Sequence, residues 1–412
     1  MPSNGAKTDL LVFHITDVFP PSIGGIETAL GTLLPRLIGV QSVVLVDSVN
    51  VADPESAVGN VRVVPVSGRR GLWRLLQSPS IERVLAGRSP SLLSLLWNMA
   101  RQDERSRLLS RAPADSVLHF HGLGWLRRFD PATEGLRGLF NAFVVRRFFR
   151  AVQDLPAAVY TDHSLFSGPY DRFVANAGPA FLANVRAIVT VERSGFENAK
   201  RWARESGEDK IVRLIPNPVD LDRFAWRQRI PSQTFTLGYV GRVSKPGLPL
   251  LSTLWASAPD WARLVLCLAR DREMSIGLPP SVRSMLASPS TEVLWDVPQE
   301  EMPRVLASVD TLLDPFEVGT PRTTIEALAV GRPVIRFRES QSNAEPLIPD
   351  ELAPLVLSSE PLRAWQLIEA WRNRPEEHLR LCTEARRFAT STFDAAMIAA
   401  EYRALYQELL SS

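Results

Sequence analysis

The sequence predicts an α/β protein built from two facing, doubly wound, Rossmann-like halves. Three observations carry that prediction. Short apolar, β-rich runs alternate with stretches of helical period along the chain, the pattern of a parallel sheet with helices on both faces. The same rhythm occurs twice. It breaks once, at "LIPNPVDLDRF" (214–224), where two prolines and an asparagine interrupt the periodicity. A chain of 412 residues is also too long for one compact core and fits two domains of about 200 residues each.

The elements follow in order. "LLVFHI" (10–15) is a short apolar run closed by the loop "TDVFPPSIGG", and "IETALGTLLPRL" then takes up helical period. "SVVLVDS", "VRVVPV", "SVLHFHG", "AAVYTDHS" and "AIVTVE" complete the first set of strands. "TFTLGYVGR", "ARLVLCLA", "TEVLWDV", "VDTLLDPF", "RPVIRF" and "LAPLVLS" form the second. The closing "AAMIAAEYRALYQELL" is an amphipathic helix. The expected organisation is therefore residues 1–216, residues 217–390, and a last helix at 391–412. Ligands of open parallel sheets sit beyond the carboxyl ends of the strands, which directs attention to the loops there and to a cleft between the two domains.

Composition narrows the function classes. A formal charge of +2 gives no reason to expect a nucleic-acid partner. The two cysteines, Cys267 and Cys382, are far apart in apolar contexts; they read as buried hydrophobes in a reducing cytoplasm rather than as a disulfide or zinc framework. The first residues lack a signal-peptide pattern, and no run of about 18 apolar residues predicts a membrane span. The absence of GxGxxG after either first strand argues against a dinucleotide-dependent dehydrogenase.

Five loops concentrate polar chemistry. In "FPPSIGGIETAL", Gly24 and Gly25 let backbone approach a ligand just where a helix begins, an arrangement that aims N–H groups at an anion. In "LGYVGRVSKPG", Gly241 ends a strand, and Arg242 and Lys245 follow as two cations suited to a diphosphate. In "LHFHGLG", period two puts His119 and His121 on one face. With no further ligand near them in the sequence no metal is expected, so His119 serves the core and His121 reaches a substrate; Asp162 and His163 in "YTDHSLFSG" repeat that logic. In "GTPRTTIEALAVGRP", Thr320 reads as the N-cap, Pro321 as the first helical residue, and Gly331 with Pro333 as the stop. Arg322 and Thr323 lie in its first turn, and Glu326 sits one turn deeper on a mostly apolar helix. There a carboxylate must either pair with a cation or face a ligand's hydroxyls.

In this order and spacing, these segments resemble the retaining GT-B glycosyltransferases of the GT4 family. The likeness runs through "FPPSIGGIETAL", "TDHSLF", "IPNPVDLDRF", "VGRVSK", "VPQEEMPRVLASVDTLLDP", "GTPRTTIEALAVGRPVI" and "FDAAMIAAEYRALYQELL". "TDHSLF" is also similar to the catalytic subunit that adds N-acetylglucosamine to phosphatidylinositol in GPI-anchor synthesis. The resemblance implies a retaining transfer from a nucleotide-diphosphate sugar, UDP- or GDP-linked, to an acceptor hydroxyl of a glycolipid, polysaccharide or glycosylated metabolite. No cofactor and no metal are needed. It implies that 217–390 binds the donor, that 1–216 takes the acceptor, and that the last helix crosses back to the first domain.

By the same resemblance, Arg242 and Lys245 contact the diphosphate, Glu326 the ribose, the backbone of Gly24 and Gly25 the phosphate end, and His121 the donor sugar. Gly241, Gly319, Thr320, Arg322 and Thr323 complete the donor side, and Glu27, Asp162 and His163 form the acceptor side. The chain departs from the family in three places. Seven residues separate the family's two acids, which puts Val318 at the first position with Glu317 one place early. The spacing from Arg242 to Lys245 is short, and Glu192 stands where a Val-Ser turn is commoner. Two versions of sugar binding follow: Glu317 serves after a small loop adjustment, or the amides of Gly319 and Thr320 hold the sugar. The alternative function is a catalytically weak GT-B partner subunit that binds nucleotide sugar.

On the acceptor side, the arginine-rich stretch 67–113, with Leu72, Trp73 and Trp97, has two readings. It is a basic amphipathic rim for an anionic lipid surface or acidic acceptor, or a solvated helical insertion with apolar anchors. "LRGLFNAFVVRRFFRAV", with Arg146, Arg147 and Arg150, spreads its aromatics round the helix and reads as partly core. The expected location is cytoplasmic, with peripheral contact at the inner membrane face under the first reading.

Overall fold

The computed structural model describes residues 10–16, 19–20, 25–47, 57–66, 108–109, 113, 115–122, 157–163, 182, 184–207, 209–229, 233–243, 247–270, 278–315, 320–338 and 347–411. The chain forms two compact units, Met1–Pro216 with Ala396–Ser412, and Asn217–Ala395.

The first unit is built on β1 (Leu10–Ile15), β2 (Val40–Asp47), β3 (Ala57–Val58), β4 (Val61–Val66), β5 (Val117–His121), β6 (Ala157–Asp162), β7 (Ala187–Thr190) and β8 (Ile211–Leu214). They lie in the order β3-β4-β2-β1-β5-β6-β7-β8. All pairings are parallel except that of the two-residue β3 with β4. β3 and β8 were not legible in the sequence. β3 is only two residues long, and β8 is a half-exposed edge strand, so neither shows an apolar run.

Successive side chains point to opposite faces of a strand, and the core divides accordingly. Ile15, Phe120, Tyr160 and Ile188 pack on one face with Trp202 of α2 (Arg193–Ser206). Val12, Val44, Val117 and Val159 pack on the other with Leu30 and Leu33 of α1 (Gly25–Leu33). His14, His119 and His121 fall on this second face by the same alternation.

The second unit holds β9 (Phe235–Arg242), β10 (Ala262–Ala269), β11 (Thr291–Trp295), β12 (Thr311–Asp314), β13 (Val334–Arg338) and β14 (Leu355–Leu357). All are parallel, in the order β11-β10-β9-β12-β13-β14, which is the doubly wound order with its reversal between β9 and β12. α3 (Gly247–Trp255), α4 (Pro280–Leu286), α5 (Met302–Ala307), α6 (Arg322–Ala329), α7 (Pro361–Asn373) and α8 (Pro375–Phe393) accompany it. One core of buried Leu, Val, Ile, Phe and Trp side chains joins sheet and helices; each fully buried Val or Leu contributes about 1.5–3 kcal/mol.

α8 does not run on into α9 (Ala395–Ser411). Asp394 takes φ −55°, ψ 124° between them and pairs in a parallel bridge with Val219. Val219 N–H donates to Phe393 O (2.8 Å), and Ala395 N–H donates to Val219 O (3.1 Å). Beyond this break Ile398, Tyr402, Tyr406 and Leu409 join the α1 face of the first sheet.

Candidate functional site

In the second unit the reversal point sets the carboxyl ends of β9 and β12 side by side. β9 ends at Gly241 and the exposed Arg242. A methyl group at Gly241 would overlap Tyr239 Oη, and one at Gly247 would meet Pro315 Cγ at 2.7 Å, so the turn from β9 into α3 packs too closely for side chains at either position. Burial, with the Asp314 carboxylate as a second cause, pushes the Tyr239 phenol well above its ordinary range and keeps it neutral.

β12 ends at Asp314, which is buried. Thr324 Oγ1 donates to its Oδ2 (3.2 Å), and Arg338, at the carboxyl end of β13, donates to its backbone oxygen and lies 3.4 Å from Oδ2. The first turn of α6 and the end of β13 are thus tied to one carboxylate.

α6 begins one residue later than the sequence predicts. Pro321 is the N-cap, with φ −56° and ψ 145°, and no side chain caps the helix. Proline accepts this extended geometry and biases Thr320 before it the same way, so Thr320 is not the N-cap. The ladder starts at Pro321 O, which accepts from Thr324 N (3.0 Å) and Ile325 N (3.3 Å). Gly331 ends the helix in the left-handed region, φ 78°, as glycine does after a C-cap.

Glu326 is 2% exposed. Arg322 Nε donates to its Oε1 (2.9 Å), as does Gln299 Nε2 (3.3 Å). Arg322 is itself held by Pro218 O (2.9 Å), and Arg223 donates to the Gln299 carbonyl. Burial pushes the Glu326 carboxyl up and the Arg322 guanidinium down; each partner pulls the other back toward its charged form. Of the two sequence alternatives for Glu326, pairing with a cation is therefore present. Both hydrogen bonds from described residues fall on Oε1.

In the first unit the equivalent reversal lies between β1 and β5. Gly25 opens α1, and Glu27 in its first turn is buried. Asp162, at the end of β6, is buried and accepts from Tyr160 Oη (3.0 Å). His163 is half-buried, with its ring centroid 6.0 Å from that of His121. The sequence reading directs His121 to a ligand and His119 to the core; the structure buries both, His121 at 3% exposure. A third imidazole, His14, joins them because the parallel register sets it opposite His119.

His119 Nδ1 is 2.7 Å from Tyr406 Oη, and its Nε2 is 2.7 Å from Thr161 Oγ1, which lies 3.2 Å from Tyr402 Oη. Burial holds all three imidazoles below the ordinary histidine range, His14 at about 3, so they are neutral at neutral pH.

Gly24, Lys245, Glu317 and Gly319 lie outside the described residues, as do nearly all of the arginine-rich stretch and the segment bearing Arg146, Arg147 and Arg150. The sequence reading missed Gln299, Arg338 and His14. Arg338 ends a strand, Gln299 follows one and His14 is the last residue but one of β1 ("RPVIRFR", "TEVLWDVPQ", "LLVFHI"), so attention to strand ends could have found all three. No helix among the described residues is long and apolar enough to cross a membrane.

Two doubly wound units of mainly parallel strands, one completed by the C-terminal helix, make this a GT-B fold. Solved structures share it over nearly the whole chain. A sucrose-phosphate synthase from Thermosynechococcus elongatus matches with a TM-score of 0.70 and 16% identity, covering 98% of this chain and 99% of its own. The Anabaena protein HepE in complex with UDP-glucose matches at 0.63 and 14%, covering 98% and 99%. The catalytic domain of starch synthase IV from Arabidopsis thaliana, bound to ADP and acarbose, matches at 0.63 and 12%, covering 98% and 100%. At these identities the likeness is one of fold. No protein-family model and no curated protein sequence matches the chain.

Proposed function

We propose that this chain is a retaining glycosyltransferase of the GT4 type, moving a sugar from a UDP- or GDP-linked donor to an acceptor hydroxyl. The observation that carries the reading is Glu326. A carboxylate this deeply buried on an apolar helix is costly, and it is steadied through one oxygen only, by Arg322 and Gln299. The other oxygen is left to accept from the vicinal hydroxyls of a ribose. The fold adds an analogy, since HepE and starch synthase IV were solved with UDP-glucose and ADP; fold alone does not define a function.

The chemistry follows from the charges. Arg242, exposed at the end of β9, and Lys245 offset the negative charge that the diphosphate gains as the anomeric carbon–oxygen bond breaks. With no nucleophilic carboxylate assigned, the acceptor hydroxyl attacks from the face that the diphosphate leaves. Its proton passes to the departing phosphate oxygen, and the configuration is retained. The donor is held by the second unit without a metal, and Glu27, Asp162 and His163 of the first unit serve the acceptor. Glu317 orients the donor sugar in place of the family's first acid; unchanged turnover in Glu317→Gln would remove it from that role.

The test is a panel of nucleotide sugars, screened first by thermal shift and then for nucleotide release. One UDP- or GDP-sugar should stabilise the protein and be turned over, at a rate unaffected by added Mg2+ or Mn2+. Stabilisation without release would mark a nucleotide-sugar-binding partner subunit, and no stabilisation by any donor would overturn both readings.

A further inference from the structure

The first unit places three of the chain's five histidines in one buried cluster, where the hydrogen bonding does not balance. His14 Nδ1 and His121 Nε2 are 3.0 Å apart, so one N–H donates to the other's lone pair. Their remaining nitrogens, His14 Nε2 and His121 Nδ1, are buried with no hydrogen-bond partner among the described residues. Either tautomer therefore strands one N–H and one lone pair in the core, at a cost of about 1–3 kcal/mol each. Aliphatic side chains would avoid that cost on a face otherwise lined by valines and leucines.

We propose that His14, His119 and His121 form a metal centre that binds one divalent first-row transition ion, with zinc as the representative. One nitrogen from each ring can be chosen so that all three lie within 4.8 Å of one another. Zinc–nitrogen bonds of about 2.0–2.1 Å at tetrahedral angles set neighbouring ligand nitrogens roughly 3.3 Å apart. The 3.0 Å between His14 Nδ1 and His121 Nε2 is close to that spacing, so a few tenths of an ångström of spreading turns the hydrogen-bonded pair into two ligands. The proton between them moves to the other nitrogen of its own ring, so both outer nitrogens become N–H groups and the stabilisation comes from the metal bonds alone.

The ligand chemistry and the surroundings agree. Neutral imidazole suits Zn, Cu, Ni and Fe, whereas Mg and Ca prefer oxygen. His119 is held on both nitrogens, Nδ1 2.7 Å from Tyr406 Oη and Nε2 2.7 Å from Thr161 Oγ1; coordination breaks one of these bonds, and the other then fixes the ring as an outer partner fixes a metal-bound histidine. Because Tyr402 and Tyr406 belong to α9, the ion would brace the C-terminal helix on the first sheet. The proposal does not rest on the transfer reaction, and its test reads metal binding rather than turnover.

The experiment uses the full chain, stripped of metal and then loaded with Co2+. The expected result is one bound ion after desalting, a visible ligand-field band typical of low-coordinate cobalt and bleached by Zn2+, and a raised melting temperature. His14→Gln and His121→Gln each remove a ligand and should weaken binding by more than the roughly 10–100-fold that loss of an outer partner costs, while Tyr406→Phe keeps the ligand set and the band. A wild-type protein that retains no Co2+ and shows no band overturns the proposal without any variant. So does Co2+ held equally by a folded His14→Gln protein, which would make the ion adventitious.

Discussion

The two units share a winding and differ in what they put at its reversal point. In the second, the neighbourhood of β9 and β12 is ionic: Arg322 faces Glu326, and Arg338 faces Asp314. In the first, the neighbourhood of β1 and β5 is made of neutral rings and hydroxyls: His14, His119, His121, Thr161, Tyr402 and Tyr406. One topology thus serves two chemistries. The sheet decides where side chains converge, and the residue types decide whether the place is ionic or neutral.

The difference can be broken most sharply at the ionic end. Arg322→Ala leaves Glu326 a buried charge without its cation and should destabilise the second unit by about 3–5 kcal/mol in denaturant titrations. The double change Arg322→Met with Glu326→Leu should recover most of that stability while abolishing nucleotide binding. Arg242→Gln separates function from folding: turnover should drop by about a hundred-fold, with stability moved by less than about 0.5 kcal/mol because the side chain is exposed.

At the imidazole end the effects are smaller. Tyr406→Phe removes the hydroxyl from one nitrogen of His119 and should cost about 1–3 kcal/mol. Hydrogen exchange should show the loss in β5 and α9 and not in β12. The pH response of the metal-free protein is of similar size. His14 has a folded pKa near 3 against 6.5 for the free side chain, so the unfolded chain binds the proton first. Stability should therefore hold above pH 6.5 and fall below it, by about 1.4 kcal/mol per pH unit for this one residue. A melting temperature flat from pH 7 to pH 5 would contradict that assignment.

Much of this was legible in the sequence because strand and helix periods are local properties. Every apolar run singled out as a strand is one, and the period-two spacing of His119 and His121 put both on one face. Partnerships across the chain were not legible. His14 is far from His119 in sequence and adjacent only through parallel register. Arg322 and Glu326 were each legible as polar groups one helical turn apart, but whether they turn toward each other or toward a ligand depends on burial, which a helix of mixed character does not reveal. The N-cap at Pro321 was missed for a local reason: proline tolerates the first helical position and the extended position before it equally well.

The interruption at Asp394 has a consequence for how the protein is made. Residues 217–395 are contiguous and complete their own core, whereas the first unit needs side chains that follow Asp394, Tyr402 and Tyr406 among them. On the ribosome the half that appears first therefore waits for the α9 side chains that complete the α1 face of its sheet until the whole of the second half has been made.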